Sequence, residues 1–269
     1  MKGTYLLSLA FFAAAAGCSG GDKSATTPSS TTGTTPAVTQ DVSKLKIETI
    51  TPGTGKGAEN GDTLTMLYRG TLMNGTEFDG NMDDSGKPNL AKDTFALPLG
   101  MGQVIKGWDE GLVGIKEGEM RKLTIPSDLA YGPAGSGEKI PPNSPLIFTV
   151  KCLGIVHKGE EMVIDTKDVK VGIGPEVKKG DKISIHYVGT LLNGKKFDSS
   201  RDRKKPFEFT VGNAEVVPGF DKGVIGMKKG GIRNLTIPPM AAYGADPSNG
   251  LPANAVLKFE IEVLGITSK

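Results

Sequence analysis

The chain has 269 residues, 38 of them glycine, with 6% aromatic residues and a formal net charge of +2. That length accommodates two ordinary domains, and so much glycine, against an average near ~7%, favours turns and short strands over long helices. The small net charge offers no basic field for nucleic acid, and two histidines with two cysteines are too few for a multi-ligand zinc site.

The first element in chain order is Lys2 followed by Tyr5–Ala16, an apolar run of twelve residues. A bilayer span needs roughly 20 residues, so 1–17 reads as a signal peptide. The run ends in Ala15-Ala16-Gly17-Cys18. Small residues directly before a cysteine resemble the bacterial lipobox, although leucine is commoner where Ala15 stands. The resemblance implies that Cys18 is lipidated. Residues 18–41 are rich in Ser, Thr, Gly and Pro and nearly free of large apolar side chains; they cannot bury enough surface to offset chain entropy and should form a disordered tether. The implied location is the bacterial cell envelope, lipid-anchored, with Ser19 after the cysteine favouring the outer over the inner membrane.

From residue 42 onward the chain is written twice, over 42–156 and 157–269. Gly61-Asp62, Tyr68 and Phe78-Asp79 match Gly180-Asp181, Tyr187 and Phe197-Asp198 at an offset of 119. Phe95, Trp108 and Tyr131 match Phe207, Phe220 and Tyr243 at 112; Pro141 and Phe148 match Pro252 and Phe259 at 111. The offset falls by seven inside one loop, GNMDDSGKPNLAKD in the first copy and SSRDRKK in the second. A period above 100 residues is a duplicated domain, not a solenoid repeat.

Each copy alternates as strands do. Leu64, Met66 and Tyr68 oppose Thr63, Thr65 and Leu67; Ile183, Ile185 and Tyr187 oppose Lys182, Ser184 and His186. Both predict a strand with one buried face. Asn74-Gly75 and Asn193-Gly194 are hairpin-turn signals. MRKLTIP, IRNLTIP, PLIFTVKCLGI and AVLKFEIEVLGI predict further strands. The exception follows QVIKG and EVVPG. Trp108, Leu112 and Ile115 fall at i, i+4 and i+7, as do Phe220, Val224 and Met227, which is one face of a short helix. The fold class is therefore α+β: two domains, each an antiparallel sheet wrapped around one short helix.

Several other signals fail on inspection. DGNMDDSG (Asp79–Gly86) resembles a calcium loop but has Asp84 where glycine is needed and Leu90 where glutamate is needed, leaving an acidic solvated loop. His157 and His186 have no partner at catalytic or metal spacing. Cys152, within an apolar strand, reads as an inert buried thiol, and no pairing with Cys18 is expected.

The motifs Y-x-G-x-L, G-x-x-F-D, V-(I/V)-x-G-(W/F), A-Y-G and a late Φ-x-F occur in order, twice, over about 220 residues. The chain thereby resembles the FKBP-type peptidyl-prolyl cis-trans isomerases, the macrolide-binding immunophilins. The resemblance implies an apolar, aromatic pocket that favours the twisted X-Pro amide and requires no cofactor. Its residues in the first copy would be Tyr68, Phe78, Asp79, Phe95, Val104, Ile105, Trp108, Tyr131, Ile140 and Phe148. In the second they would be Tyr187, Phe197, Asp198, Phe207, Val216, Val217, Phe220, Tyr243, Leu251 and Phe259. The backbone N–H of Ile105 and Val217 and the hydroxyls of Tyr131 and Tyr243 would hold substrate carbonyls, with Asp79 and Asp198 at the rim. Implied partners are proline-containing polypeptides and macrolide inhibitors, with a membrane reached through the lipid anchor and no nucleic acid. A non-catalytic holdase chaperone that grips proline segments is the alternative. Taken singly, each aromatic reads as core, since aromatics at strand positions usually are.

Overall fold

Alternation and turn chemistry account for most of what is seen in a computed structural model, which describes residues 42–247 and 250–268. The leader expected over 1–17, Cys18 and the tether to 41 lie outside the described residues. The first copy forms β1 (Lys46–Thr51), β2 (Thr63–Leu72), β3 (Glu77–Gly80), β4 (Phe95–Pro98), the helix α1 (Lys106–Gly111), β5 (Met120–Ile125) and β6 (Leu146–Val156). These strands make one antiparallel sheet in the order β1-β5-β6-β2-β3, with β4 beside the first half of β2. The second copy forms β7 (Asp165–Lys170), β8 (Ile173–Glu176), β9 (Lys182–Leu191), β10 (Lys196–Ser199), β11 (Phe207–Thr210), α2 (Pro218–Gly223), β12 (Lys228–Lys229), β13 (Ile232–Ile237) and β14 (Leu257–Thr267). Its main sheet runs β10-β9-β14-β13-β7 with β11 on β9, and β8 pairs separately with β12. The fold is α+β, with one short helix against each sheet. Bonding to the first copy continues past β6: the buried Asp62 carboxylate, just before β2, accepts from the Lys158 N–H at 2.9 Å and pairs with His157 Nδ1 at 2.7 Å.

The Asn-Gly turns are three-residue loops. Gly75 and Gly194 take positive φ, and the preceding asparagines do not, so each is a type I turn closed by a glycine bulge. The helices span only six residues each, too few for stability alone, since isolated helices are marginal below ~12–15 residues. Glycine lets them sit directly on the sheet. A Cβ at Gly107 would lie 2.3 Å from Ile125 Cγ2, and one at Gly219 would lie 2.3 Å from Ile237 Cγ2. This explains the glycine of KGW and PGF: it brings Trp108 and Phe220 down onto the sheet's concave face. Pro218 starts α2 at its first position, where no N–H is missed. The helical face expected to reach Ile115 ends earlier; Leu112 caps α1, and Ile115 is buried in the turn beyond it.

Strand β9 alternates as expected, with the odd residues from Ile183 to Leu191 buried. Strand β2 does not. Leu67, expected on the open face, is only 1% exposed, and Thr65 is buried as well. The cause is the loop that carries the seven extra residues. Leu67 pairs with Lys151, and Lys151 with Met120, so the three share one face; Gly86 of the loop packs against Met120 and Lys151. Asn81 and Met82 are buried, and Asn81 Oδ1 accepts from the Tyr68 N–H at 2.7 Å. The loop keeps its acidic side chains, Asp83 and Asp84, in solvent as expected, yet it is not solvated throughout. It forms an ordered second layer over the sheet's outer face, closed by Asp83 turning onto the amides of Ser85 and Lys87.

Candidate functional site

The inner face of each sheet, which in the first copy lies opposite that layer, gathers the aromatic residues. In the first copy Trp108 stands on α1, 4% exposed, with Tyr68 from β2, Phe95 from β4 and Phe148 from β6 edge-on around it at 5.6, 5.9 and 5.3 Å between ring centroids. Phe78 on β3 extends the box through Phe148 at 5.5 Å. Perpendicular rings of this kind add about 0.5–1.5 kcal/mol per pair beyond burial, so the floor is held rigid. Val104, Ile105 and Tyr131 are half-buried against the same cluster, and Ile140 is buried in it. At the rim the Tyr68 hydroxyl donates to Asp79 Oδ2 at 2.7 Å. Burial and that bond push the Tyr68 hydroxyl well above the usual phenol range, and burial with the charge of Asp79 raises Tyr131. Both hydroxyls stay protonated at neutral pH and can donate.

The second copy repeats the box. Tyr187 stands edge-on to Phe207, Phe220 and Phe259 at 5.8, 5.9 and 6.1 Å, Phe197 lies against Phe259 at 5.6 Å, and Phe220 meets Phe259 at 4.9 Å. Val216 and Val217 are half-buried beside it and Leu251 is buried. Tyr243 is 39% exposed, the most open of the group.

The Ile105 carbonyl accepts from the amides of Trp108 and Asp109 and the Val217 carbonyl from those of Phe220 and Asp221, while the N–H groups of Ile105 and Val217 donate to nothing among the described residues. An unpaired backbone donor at the edge of an aromatic box is available to a carbonyl from outside. Apart from the exposed Tyr243, each predicted site residue therefore lies in or beside one of two matching boxes.

Three site features were not legible in the motifs. Phe209, aligned with Leu97, lies beneath Phe220 at 5.9 Å and is stacked on Phe207. It fills space left by the smaller ring, so the floor is not simply wider than the one that Trp108 makes. Arg203 donates to Asp198 and, at 2.8 Å, to the Tyr187 hydroxyl, with its guanidinium 5.7 Å from the centre of the Tyr187 ring. Burial works to raise Asp198, but the bonds from Tyr187 and Arg203 outweigh it and hold the carboxyl below the usual range. The third is an arginine behind each helix: Arg121 donates to the carbonyls of Gly111 and Val113, and Arg233 to those of Gly223 and Ile225. Each caps a helix C-terminus, where cations are favoured. The recurrence of Arg121 and Arg233 at offset 112 was a signal that could have found them. Cys152 is fully buried, and its thiol is pushed up to about 12 by burial, as an inert thiol would be.

A separate hollow of about 510 Å³ lies between Asp165, Thr190, Asn234 and Lys258. It is open, is lined by both polar and apolar surface, and holds one aromatic residue, Phe259; it lacks the converging rings of the boxes.

The sequence matches the family described as FKBP-type peptidyl-prolyl cis-trans isomerase over residues 55–153 and again over 174–264. It is 37% identical over 226 residues to peptidyl-prolyl cis-trans isomerase FKBP10 of Bos taurus, covering 84% of this chain and 38% of the relative. It is 37% identical over 203 residues to human FKBP9, covering 76% of this chain and 34% of the relative. The chain thus spans between a third and two-fifths of the length of these curated relatives. Among solved structures it is similar to FkpA from Escherichia coli, with 37% identity over 39% of this chain and 48% of that one and a TM-score of 0.37.

Proposed function

This chain belongs to the FKBP-type peptidyl-prolyl cis-trans isomerase family, and we propose from that premise that both of its pockets bind and isomerise X-Pro segments. The observation that carries the reading is the duplicated aromatic box with an unpaired N–H at its edge, from Ile105 in one copy and Val217 in the other. Rotation about an X-Pro amide is slow because resonance stiffens the C–N bond, with a barrier of ~18–20 kcal/mol. The twisted transition state has lost that resonance and is less polar than the planar amide. A water-poor aromatic cavity binds it better than the ground state, and differential binding of this kind is what accelerates a step. The N–H of Ile105 or Val217 and the hydroxyl of Tyr131 or Tyr243 anchor the flanking carbonyls while the prolyl ring rests over Trp108 or Phe220. Asp79 and Asp198 orient Tyr68 and Tyr187 at the rim and transfer no proton.

The same pockets accept macrolide inhibitors, more tightly at Trp108, whose larger ring offers more apolar contact than Phe220. The clients are proline-containing polypeptides of a bacterial cell envelope, reached from a lipid anchor at Cys18; the small residues before that cysteine and the polar spacer after it support this. Mass analysis of the mature N-terminus tests the anchor, which an unmodified terminus away from Cys18 would refute.

The experiment for the activity uses the whole chain carrying Phe78→Ala, Phe197→Ala or both, assayed on a short X-Pro peptide with melting curves in parallel. Each single variant should retain the activity of the intact pocket, and the folded double variant should lose nearly all. Undiminished turnover in the double variant would sink the assignment. Peptide binding without turnover in the unaltered chain would leave a proline-segment holdase.

A further inference from the structure

The loop over the first pocket is fastened by a lysine that the second copy does not carry at the matching position. Residues 132–143 form a loop between β5 and β6, closed at the base by the Asn143 N–H donating to the Gly132 carbonyl at 2.8 Å. A tighter ring sits at the tip. Ser136 and Ile140 exchange both backbone bonds, at 2.9 and 3.1 Å, and Gly135, at φ 64°, passes so close to the Ile140 carbonyl that a Cβ would lie 2.3 Å from it. The rigid tip delivers Ile140 into the aromatic core, 6% exposed. Beside it, Lys139 stretches across and donates from Nζ to the Phe78 carbonyl at 3.0 Å. Phe78 is the residue before Asp79 on β3, so one bond joins the Tyr131 side of the mouth to the Tyr68–Asp79 side. It is charge-assisted, and hydrogen bonds of this kind are shorter and stronger than neutral ones.

The second loop keeps the base, with the Asn254 N–H on the Gly244 carbonyl at 2.9 Å, and it buries Leu251 as the first buries Ile140. Gly250, however, stands where Lys139 does and has no side chain to reach β10. Tyr243, the residue aligned with Tyr131, is exposed, while Tyr131 is half-buried.

We infer that Lys139 is a specificity-determining residue: by pinning the loop to β3 it gives the first pocket one fixed mouth, which discriminates among residues flanking the proline. The inference rests on the pocket being a proline-segment site. A preorganised wall adds no ordering cost on binding and cannot reshape itself for a poor fit, so it rewards the right neighbour and penalises the wrong one. The second pocket, without the pin, accepts a wider range. The two copies are then a selective and a permissive site on one chain.

Trp108 is the only tryptophan, so its fluorescence in the full chain reports the first pocket alone. The test titrates the full chain with Ala-X-Pro-Phe tetrapeptides, X being Gly, Ala, Leu or Phe, and compares the spread of affinities in the unaltered protein, Lys139→Met and Lys139→Arg. Lys139 is exposed and its methylene stem survives in methionine, so the variant should fold. Loss of one net hydrogen bond should narrow the spread roughly fivefold in Lys139→Met, exchange of the Ile140 amide should quicken, and Lys139→Arg should recover part of both. An unchanged spread and unchanged exchange in Lys139→Met would overturn the inference, whatever the turnover. Binding selectivity at Trp108 without catalysis would defeat the isomerase reading and leave Lys139 its role. No response of Trp108 to any peptide would defeat both.

Discussion

The two copies solve the same packing problem with different side chains, and the differences are correlated. Where the first has Trp108 over Leu97, the second has Phe220 over Phe209: a smaller ring above, a larger one below. Where the first lays an extra loop on the outer face of its sheet, Leu67 points into it; where the second has only a short loop, the matching residue is His186, half-buried and bonded to Ser200. Where the first fastens its mouth with Lys139, the second places Arg203 on its rim aspartate and tyrosine. A duplicated domain thus diverges in compensated sets. A single aligned position, such as Trp108 against Phe220, misleads when read without its partner.

The largest effect should come from breaking one such set in the core. Phe209→Leu removes a ring from a fully buried site and should cost about 2–4 kcal/mol by the cavity it leaves, while Phe220→Trp alone overpacks the floor by about 1–3 kcal/mol. The pair together copies the first pocket and should recover much of both losses. Denaturant melts of the four proteins form a double-mutant cycle; strict additivity would mean that the two positions do not compensate.

A smaller loss is expected from Leu67→His, which copies the second sheet into the first. Beneath the extra loop the imidazole has no water, and an unpaired polar group there should cost about 1–3 kcal/mol. The reciprocal His186→Leu, in a half-open position, should change stability far less. Equal effects of the two on the melting temperature would show that the loop does not cover its sheet.

The smallest effect concerns the rim and depends on pH. Asp198 is held below its unfolded value of about 3.9, so its contribution to stability is fully present above that pH and disappears as pH falls through the lower folded value. Arg203→Ala removes one of the bonds that hold it down. Asp198 should then protonate at a higher pH, the second pocket should lose peptide affinity earlier in acid, and Trp108 should report no change in the first. NMR titration of the Asp198 carboxyl checks this; an identical midpoint in the variant would show that Arg203 is only a surface contact.

Local chemistry made much of this molecule legible in the sequence alone. Alternation at Ile183–Tyr187 marked a strand because a pleat has a period of two, Asn-Gly marked the hairpins because only glycine takes the bulge conformation cheaply, and the repeated V-x-x-G-W/F marked a helix start that needs glycine to seat itself. Repetition at fixed offsets then turned isolated aromatics into a set. What only the tertiary structure decided are contacts between residues far apart in the chain: Lys139 with the Phe78 carbonyl, Gly86 with Met120, Arg203 with Tyr187, Phe209 with Phe220. No pattern of period two or 3.6 encodes these. Each depends on which surfaces the folded sheet and its loops bring within a few ångströms, and that is a property of the whole chain.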